Sequence, residues 1–549
     1  MNSSRRGALK AGLLGVAACS VPHAFASPAT ARQDTTASPS GTTPQPWGKG
    51  IEGQRKGDLG NGYFLNPIMA GDYPDPTILK DGPDYYMTFS AFENYPALII
   101  WHSQDLVNWT PLGPALEKPI GSVFAVDLVK HGNRYYIYIP ILPTATGPDA
   151  DHRPKIYVVH ADTITGPWSD PIDLQIPGLI DPGHIVGEDG KRYLFLSGVS
   201  RVRLSDDGLS TDGPVSLAYE GWQYPDEWIT EAFSLESPKL LRRGEYFYLI
   251  TAEGGTSGPA TGHMVNAARS RSVLGPWENC PHNPIVRTQS DSERWWSRGH
   301  ASLVEGPAKD WWMVYHGYEN GFRGLGRQTL LDPIEWTTDG WFRAKGGDLS
   351  KPIAKPAKGK SNAHGIAKSD NFAMAAFGTR WNFYNPGHGE QARARFENNA
   401  LLLQGKGLTP TDASPLAVLT GDHHYEVTVQ MELIGEAIGG LLLFFNKQLY
   451  LGMGHDGSRM TTYRSGRPSY WPEPAPAGRI WHLRIVNDRH IVTFFYSLDG
   501  VKWTRHALRS EVSGYNVNVA DDLASLRPAL FATGAGSVRF SNFQYRALA

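Results

Sequence analysis

Cysteine is nearly missing from this chain. Its 549 residues hold two, Cys19 and Cys280, so neither a disulfide framework nor a cysteine metal cluster can organise the fold. Net charge is missing too: 52 Lys and Arg stand against 54 Asp and Glu, a formal −2. No basic stripe with interleaved aromatics appears, which argues against a nucleic-acid partner. No segment reaches the roughly 20 apolar residues of a spanning helix, and no strong helical period of ordinary length is found. What is there is turn residues and aromatics: 60 Gly, 40 Pro, 17 Trp, 24 Tyr and 21 Phe. That composition suits many short strands. Trp abundance also suits sugar recognition, since pyranose C–H faces stack on aromatic rings, although core packing claims most such side chains. Length alone predicts about two to four domains.

Residues 1–26 read as a signal peptide of twin-arginine type and stay out of the fold argument. Ser4-Arg5-Arg6-Gly7-Ala8-Leu9-Lys10 precedes an apolar stretch from Ala11 to Cys19. Ala24-Phe25-Ala26 is an A-x-A site whose cleavage releases a soluble exported protein, periplasmic or extracellular. Val16-Ala17-Ala18-Cys19 resembles a lipobox, which would anchor the protein to a membrane through an acylated Cys19. The soluble form is preferred. Residues 27–58 are rich in Ser, Thr, Pro and Gly and predict a flexible linker.

From 59 to 350 one phrase recurs five times. A polar residue stands at a turn, and about ten residues later a Tyr-rich or Trp-rich strand begins. The copies start at Asp75, Asp127, Asp181, Glu236 and His300, and their aromatic strands carry Tyr85-Tyr86, Tyr135-Tyr136, Tyr193, Tyr246-Phe247-Tyr248 and Trp311-Trp312. A strand-patterned period of roughly fifty residues predicts a β-propeller with one sheet per repeat, here five-bladed. In a propeller the first residues of each copy converge on the axis. Four carboxylates and one histidine would then surround one hole, equipment for acid–base work on a sugar.

Residues 351–367 form a basic, Pro-containing linker. From 368 to 549 the pattern changes. Tyr425, Val427, Val429, Met431 and Leu433 alternate with Glu426, Thr428, Gln430 and Glu432, and further strands follow at 441–445, 491–496 and 538–545. This half reads as a β-sandwich, concanavalin-like, so the fold class is all-β throughout.

Glycoside hydrolysis needs one carboxylic acid to protonate the leaving oxygen and a second carboxylate to drive attack at C1. Glu236 is the acid candidate: its side chain is long, and Phe233, Leu235 and Pro238 give it a partly apolar setting. Asp75 is the base candidate, held between Pro74 and Pro76. Asp127 lies between Val126 and Leu128, and as a nearby like charge it would raise the pKa of the acid. An Asp-Pro in a loop is ordinarily a turn former, and a buried Asp is ordinarily ion-paired; the shared phase is what lifts these three. Asp181 shares the phase, but Asp181-Pro182-Gly183 is also a good turn. His300 is read as a substrate contact, with a hydrated Ca²⁺ beside the carboxylates as the alternative. No metal ligand is assigned and no cofactor is required. Arg327 could pair with a pocket carboxylate and donate to sugar hydroxyls. Phe92 and Trp101 could wall the pocket or belong to the propeller core.

At these residues the chain resembles glycoside hydrolase family 43, in its β-xylosidase and α-L-arabinofuranosidase branch. The stretch Asn66-Pro67-Ile68-Met69-Ala70-Gly71-Asp72-Tyr73-Pro74-Asp75-Pro76-Thr77 looks like the family's opening. Leu235-Glu236-Ser237-Pro238-Lys239, Gly299-His300-Ala301-Ser302 and Gly326-Arg327-Gln328-Thr329 continue it in order. Asp370-Asn371-Phe372 and Trp381-Asn382-Phe383 resemble the start of that branch's sandwich. The resemblance implies a five-bladed propeller and an inverting mechanism, with Asp75 as base, Asp127 as pKa modulator and orienter, and Glu236 as acid. It also implies a substrate pocket containing Arg327, His300 and Phe92. Two departures touch the substrate's identity: Phe124-Ala125-Val126 stands where Trp-Ala-Pro is common, and Leu235 and Ser237 replace Thr and Gly.

The expected function is therefore exo-acting release of xylose or arabinofuranose from plant cell-wall oligosaccharides. An endo-arabinanase and a non-catalytic carbohydrate-binding propeller are the alternatives. The first would need an open groove; the second would be expected to lack a carboxylate. The oligosaccharide substrate is the one partner implied, and the oligomeric state is left open.

Overall fold

The phrase repeats because each copy folds into the same antiparallel unit. The computed structural model describes residues 46–143, 152–361, 363–469 and 476–548. The first unit runs Thr77–Asp81, Asp84–Thr88, Ala97–Ser103 and Thr110–Leu116, each strand paired with the next. Four more such sheets open with Asp127–His131, Gly183–Val186, Glu236–Arg243 and Trp295–Glu305. Tight Gly turns such as Asp81-Gly82 close the first hairpins, Asp81 pairing with Asp84. The result is the expected five-bladed propeller.

Apolar side chains fill the spaces between blades. Leu98 and Ile100 of blade one pack with Ile137 and Ile139 of blade two, all at most 1% exposed. Met87 and Trp101 pack with Trp312 and Val314, which closes blade five on blade one. Each fully buried side chain of this size contributes about 1.5–3 kcal/mol. Strand direction fixes what lies on each face. Every blade's first strand starts on one face, so the connection from second to third strand and the entry from the previous blade lie on that same face. The five repeat starts share it.

The sandwich is built on two long strands, His424–Phe444 and Arg527–Ala547, paired from Tyr425 with Ala547 to Phe444 with Arg527. The first half of His424–Phe444 also pairs with Ile480–Asp488, and its last part with Tyr450–His455. The alternation seen in the sequence is the burial pattern: Tyr425, Val427, Val429, Met431 and Leu433 lie in the core, with half-buried polar residues between them. Among the described residues the one α-helix is Val517–Ala520. No described helix is long and apolar enough to cross a membrane.

The two halves share a seam on the face of the repeat starts. Asn94–Tyr95, from the blade-one loop, pairs with Trp381–Tyr384 of the sandwich. Phe322, from the corresponding loop of blade five, stacks on His423 with centroids 3.6 Å apart. The signal peptide and Cys19 lie outside the described residues, as do positions 27–45 of the flexible linker. The rest of that linker differs from the expectation. Gly48–Lys49 pairs with Arg55–Lys56, and the Arg55 guanidinium reaches Glu319 at 2.7 Å and Gln328 in the propeller. Its Nε donates to the Gly421 carbonyl of the sandwich. Ion pairing and cation–π contact with Trp47 order a segment too polar to be ordered by apolar burial. The described residues of the 351–367 linker are likewise tied down. Ile353–Ala354 pairs with Tyr63–Phe64, and Lys355 Nζ lies 2.7 Å from Asp58 and 3.1 Å from Asp105.

Candidate active site

The repeat starts arrive at the axis with unusual backbone. Asp75 (φ 56°), Asp181 (φ 56°) and His300 (φ 62°) are left-handed, as are Phe92 (φ 48°) and Ser237 (φ 58°). Non-glycine residues in this region are uncommon and concentrate where structure holds strain for function. His300 reaches the axis because the ladder of Trp295–Glu305 is irregular on both sides of Gly299. Gly299 itself has to be glycine: a Cβ there would lie 2.3 Å from the His263 ring.

Asp75 is 5% exposed and surrounded by donors. Its Oδ1 accepts from Arg327 Nη1 at 2.9 Å and lies 3.3 Å from His300 Nδ1; its Oδ2 accepts from Ser90 Oγ. The Asp75 amide N–H donates to His316 Nδ1 at 3.1 Å. Burial alone would raise the carboxyl's pKa, but Arg327, with the two rings, outweighs it and holds Asp75 well below the usual carboxylate range. Burial keeps both rings neutral, His300 shifted well down and His316 down to about 3. Arg327 therefore supplies the charge. His316 Nδ1 lies 3.1 Å from both the Asp75 N and its Oδ1, and His316 Nε2 faces Thr256 Oγ1 at 3.1 Å.

The other carboxylates divide. Asp127 Oδ1 accepts from Lys239 Nζ at 2.8 Å and Thr77 Oγ1 at 3.2 Å; its Oδ2 accepts from the His184 N–H at 2.7 Å. Lys239 also donates to the carbonyls of Val126 at 2.7 Å and Pro182 at 2.9 Å. Asp127 is thus a counter-ion that ties four blades together, and this corrects its expected role as the acid's modulator. Asp181 is the carboxyl electrostatically linked to Glu236. Burial, then the charges of Glu236 and Asp75, raise its pKa well above the usual range. Asp181 Oδ2 accepts the Ser237 N–H at 3.2 Å, next to Glu236. Glu236 keeps 15% of its side chain exposed, with His263 Nε2 3.4 Å away.

Several buried polar atoms here have no hydrogen-bond partner: Arg327 Nη2, His300 Nε2, His263 Nδ1 and Ser237 Oγ. Buried polar groups are normally satisfied, and a polyhydroxylated ligand would satisfy these. Phe92 belongs to the same cluster, its ring 5.5 Å from the Arg327 guanidinium and edge-on to Phe124. Trp101 does not: it is 4% exposed in the propeller core, edge-on to Tyr73 at 5.4 Å. His316, His263 and Lys239 were missed in the sequence. A lone His within the apolar run Val314-Tyr315-His316 was the available signal for the first. Among the described residues no group of three or more His, Cys, Asp or Glu is placed to hold a metal ion. The donors at the axis fit Ca²⁺ poorly, because Asp75 and Asp127 already face cations and His300 offers one nitrogen, whereas Ca²⁺ takes 6–8 oxygens.

The family model described as glycosyl hydrolases family 43 matches residues 64–342, more than half of the chain, from ahead of blade one to the start of blade five's last strand. The chain belongs to this family. Among its family relatives, the Xylan 1,3-beta-xylosidase of a Vibrio species is 32% identical over 319 residues, covering 51% of this chain and 57% of that protein. The "Non-reducing end alpha-L-arabinofuranosidase" of Bacteroides ovatus is 30% identical over 359 residues, covering 59% and 62%. The matches thus span less than two thirds of these curated relatives. A crystal structure of the family-43 protein BlXynB from Bacillus licheniformis aligns with a TM-score of 0.78 and 26% identity, covering 88% of this chain and 100% of that one. That likeness extends beyond the propeller into the sandwich.

Proposed function

We propose that this chain is an exo-acting, inverting glycoside hydrolase that releases xylose or arabinofuranose from the non-reducing ends of plant cell-wall oligosaccharides. The observation that carries the reading is the opposite electrostatic treatment of two carboxyls at one axis. Arg327 keeps Asp75 ionised, while burial and like charge give Asp181, beside Glu236, a raised affinity for a proton. Pairs pushed apart in this way divide the work of base and acid. Asp75 takes a proton from water as the water's oxygen attacks C1. Glu236, the more exposed member of the Asp181–Glu236 pair, gives a proton to the departing oxygen, and solvent restores both groups. Asp181 is the modulator. An inverting site holds base and acid about 6.5–9.5 Å apart to admit that water. Arg327 Nη2 and His300 Nε2 are free to bind sugar hydroxyls.

Exo action is favoured by the seam, which puts the sandwich against the blade-one and blade-five loops on the catalytic face. The named activities of the relatives support a pentoside. Export through the twin-arginine route, with release or lipid anchoring at Cys19, belongs to the same reading. Proton NMR of the first product anomer from nitrophenyl β-xyloside and α-arabinofuranoside tests it. Inversion with release of single sugars is expected. Retention of configuration would overturn the mechanism, and internal cleavage of arabinan would favour an endo-arabinanase.

A further inference from the structure

We infer that Arg527, which the sandwich supplies, is a positioning residue for the base in the propeller: it anchors Asp72, and Asp72 fixes the main chain of Arg327, whose guanidinium holds Asp75. The inference rests on the reading of Asp75 as base. Arg527 opens the long strand Arg527–Ala547. Its Nη2 lies 2.9 Å from Asp72 Oδ2, with the two side chains 13% and 4% exposed, and its Nε donates to Ser525 Oγ. The other Asp72 oxygen, Oδ1, accepts the Arg327 N–H at 3.2 Å. Arg327 Nη1 then donates to Asp75 Oδ1 at 2.9 Å.

The segment carrying Asp72 and Asp75 is joined to the Arg327 strand at further points. The Tyr73 N–H donates to the Arg327 carbonyl at 2.9 Å, and Thr329 Oγ1 donates to the Tyr73 carbonyl at 2.6 Å. Gly326 (φ 80°) leaves room for this contact, since a Cβ there would stand 2.3 Å from Asp72 Oδ1. Asp72 thus has one oxygen on each half of the molecule. Loss of Arg527 would free it to turn, and Arg327 with it. The seam would persist without Arg527, because Arg55 bridges both halves and Phe322 stacks on His423. Arg527 can therefore be replaced without separating the sandwich from the propeller.

A weaker hold by Arg327 would let Asp75 protonate at higher pH. The charged and titratable groups facing Asp75 are Arg327, His300, His316 and Tyr318, with Asp181 from blade three. Base action is lost as pH falls through the Asp75 pKa, so the acid limb of the rate profile would move up. The experiment uses the full chain with R527M and R527K, D75N as the reference for a lost base, and R546M as control. Arg546 pairs with Glu426 at 2.9 Å on the exposed side of the sandwich. On nitrophenyl β-xyloside, R527M should lower kcat/KM on the order of tenfold to a hundredfold, the scale of a small misplacement at a reacting centre. The loss should fall mainly on kcat, with the acid limb moved to higher pH. R527K should recover part of both, and R546M should match the wild type. An R527M enzyme with wild-type kcat and acid limb would overturn the inference. So would a loss that follows only a lowered melting temperature, with the limb unmoved and no recovery in R527K. Wild-type activity retained by D75N would instead defeat the assignment of the base.

Discussion

Two carboxylate–cation pairs stand on the propeller axis, and they differ in what they leave open. In the Asp127–Lys239 pair, the carboxylate accepts from Lys239, Thr77 and the His184 N–H, while the ammonium meets Asp127 and two carbonyls. In the Asp75–Arg327 pair, Arg327 Nη2 and the neighbouring His300 Nε2 are buried with no partner. Similar charges serve a closed structural knot in one case and an unfinished site in the other. Unmet hydrogen-bonding capacity, more than the presence of a carboxylate, marks the place where substrate belongs.

The largest effect that would break this contrast is at Asp75. Asp75→Asn should reduce turnover of every substrate by about 10²–10⁴-fold, the usual weight of a general acid–base group, with circular dichroism unchanged. Glu236→Gln should fall as far on xylo-oligosaccharides but much less on aryl glycosides with good leaving groups, because a poor leaving group most needs the proton. Equal losses on both substrate types would remove Glu236 from the acid's role. Lys239→Met should act on folding: it leaves Asp127 buried without its cation and should cost about 3–5 kcal/mol in denaturant unfolding. Turnover per folded molecule should stay far above that of Asp75→Asn.

A smaller effect sharpens the pH side of the comparison. Activity should persist into acid, since the Asp75 pKa is depressed and base action is lost only as pH falls through it. Asp181, its proton affinity raised by burial and by the charges of Glu236 and Asp75, keeps its proton above the ordinary carboxylate range and loses it as pH rises. Asp181→Asn removes the carboxyl electrostatically linked to Glu236, so the basic limb should move; an unmoved limb would return the modulator's role to another residue. Smallest is His300→Ala, which should raise KM about tenfold, the weight of one buried hydrogen bond, while EDTA leaves wild-type activity largely intact. Loss on chelation with recovery in Ca²⁺ would reassign His300 to a cation.

The propeller was legible because a period of about fifty residues survives in the turn and strand chemistry. The sandwich was legible because Tyr425 to Leu433 alternates without error. The division of labour among the carboxylates was not. Asp127 and Asp181 occupy the same phase, and what separates them is Lys239. In a regular strand a residue three places after Glu236 faces the opposite side. A register shift between Glu236 and Lys239 breaks that parity, and a bulge of this kind has no clear mark in a single sequence. Trp101 misled for a like reason. It lies on blade one's third strand, and side-chain direction there depends on a register shift between Ile100 and Trp101. The ordered part of the first linker was hidden because Arg55 is held by groups hundreds of positions away.

Asn94 and Tyr95 have a consequence for how this protein can be taken apart. Their backbone completes a ladder with Trp381–Tyr384, so the boundary between the halves runs through a shared sheet. A gene shortened to end after Leu349 would encode a propeller with a bare strand edge beside its catalytic mouth, an invitation to intermolecular pairing. It would also lack the Arg527 that faces Asp72. The smallest transplantable unit is the pair of domains together, and attempts to graft new specificity onto this scaffold would have to move or redesign them as one piece.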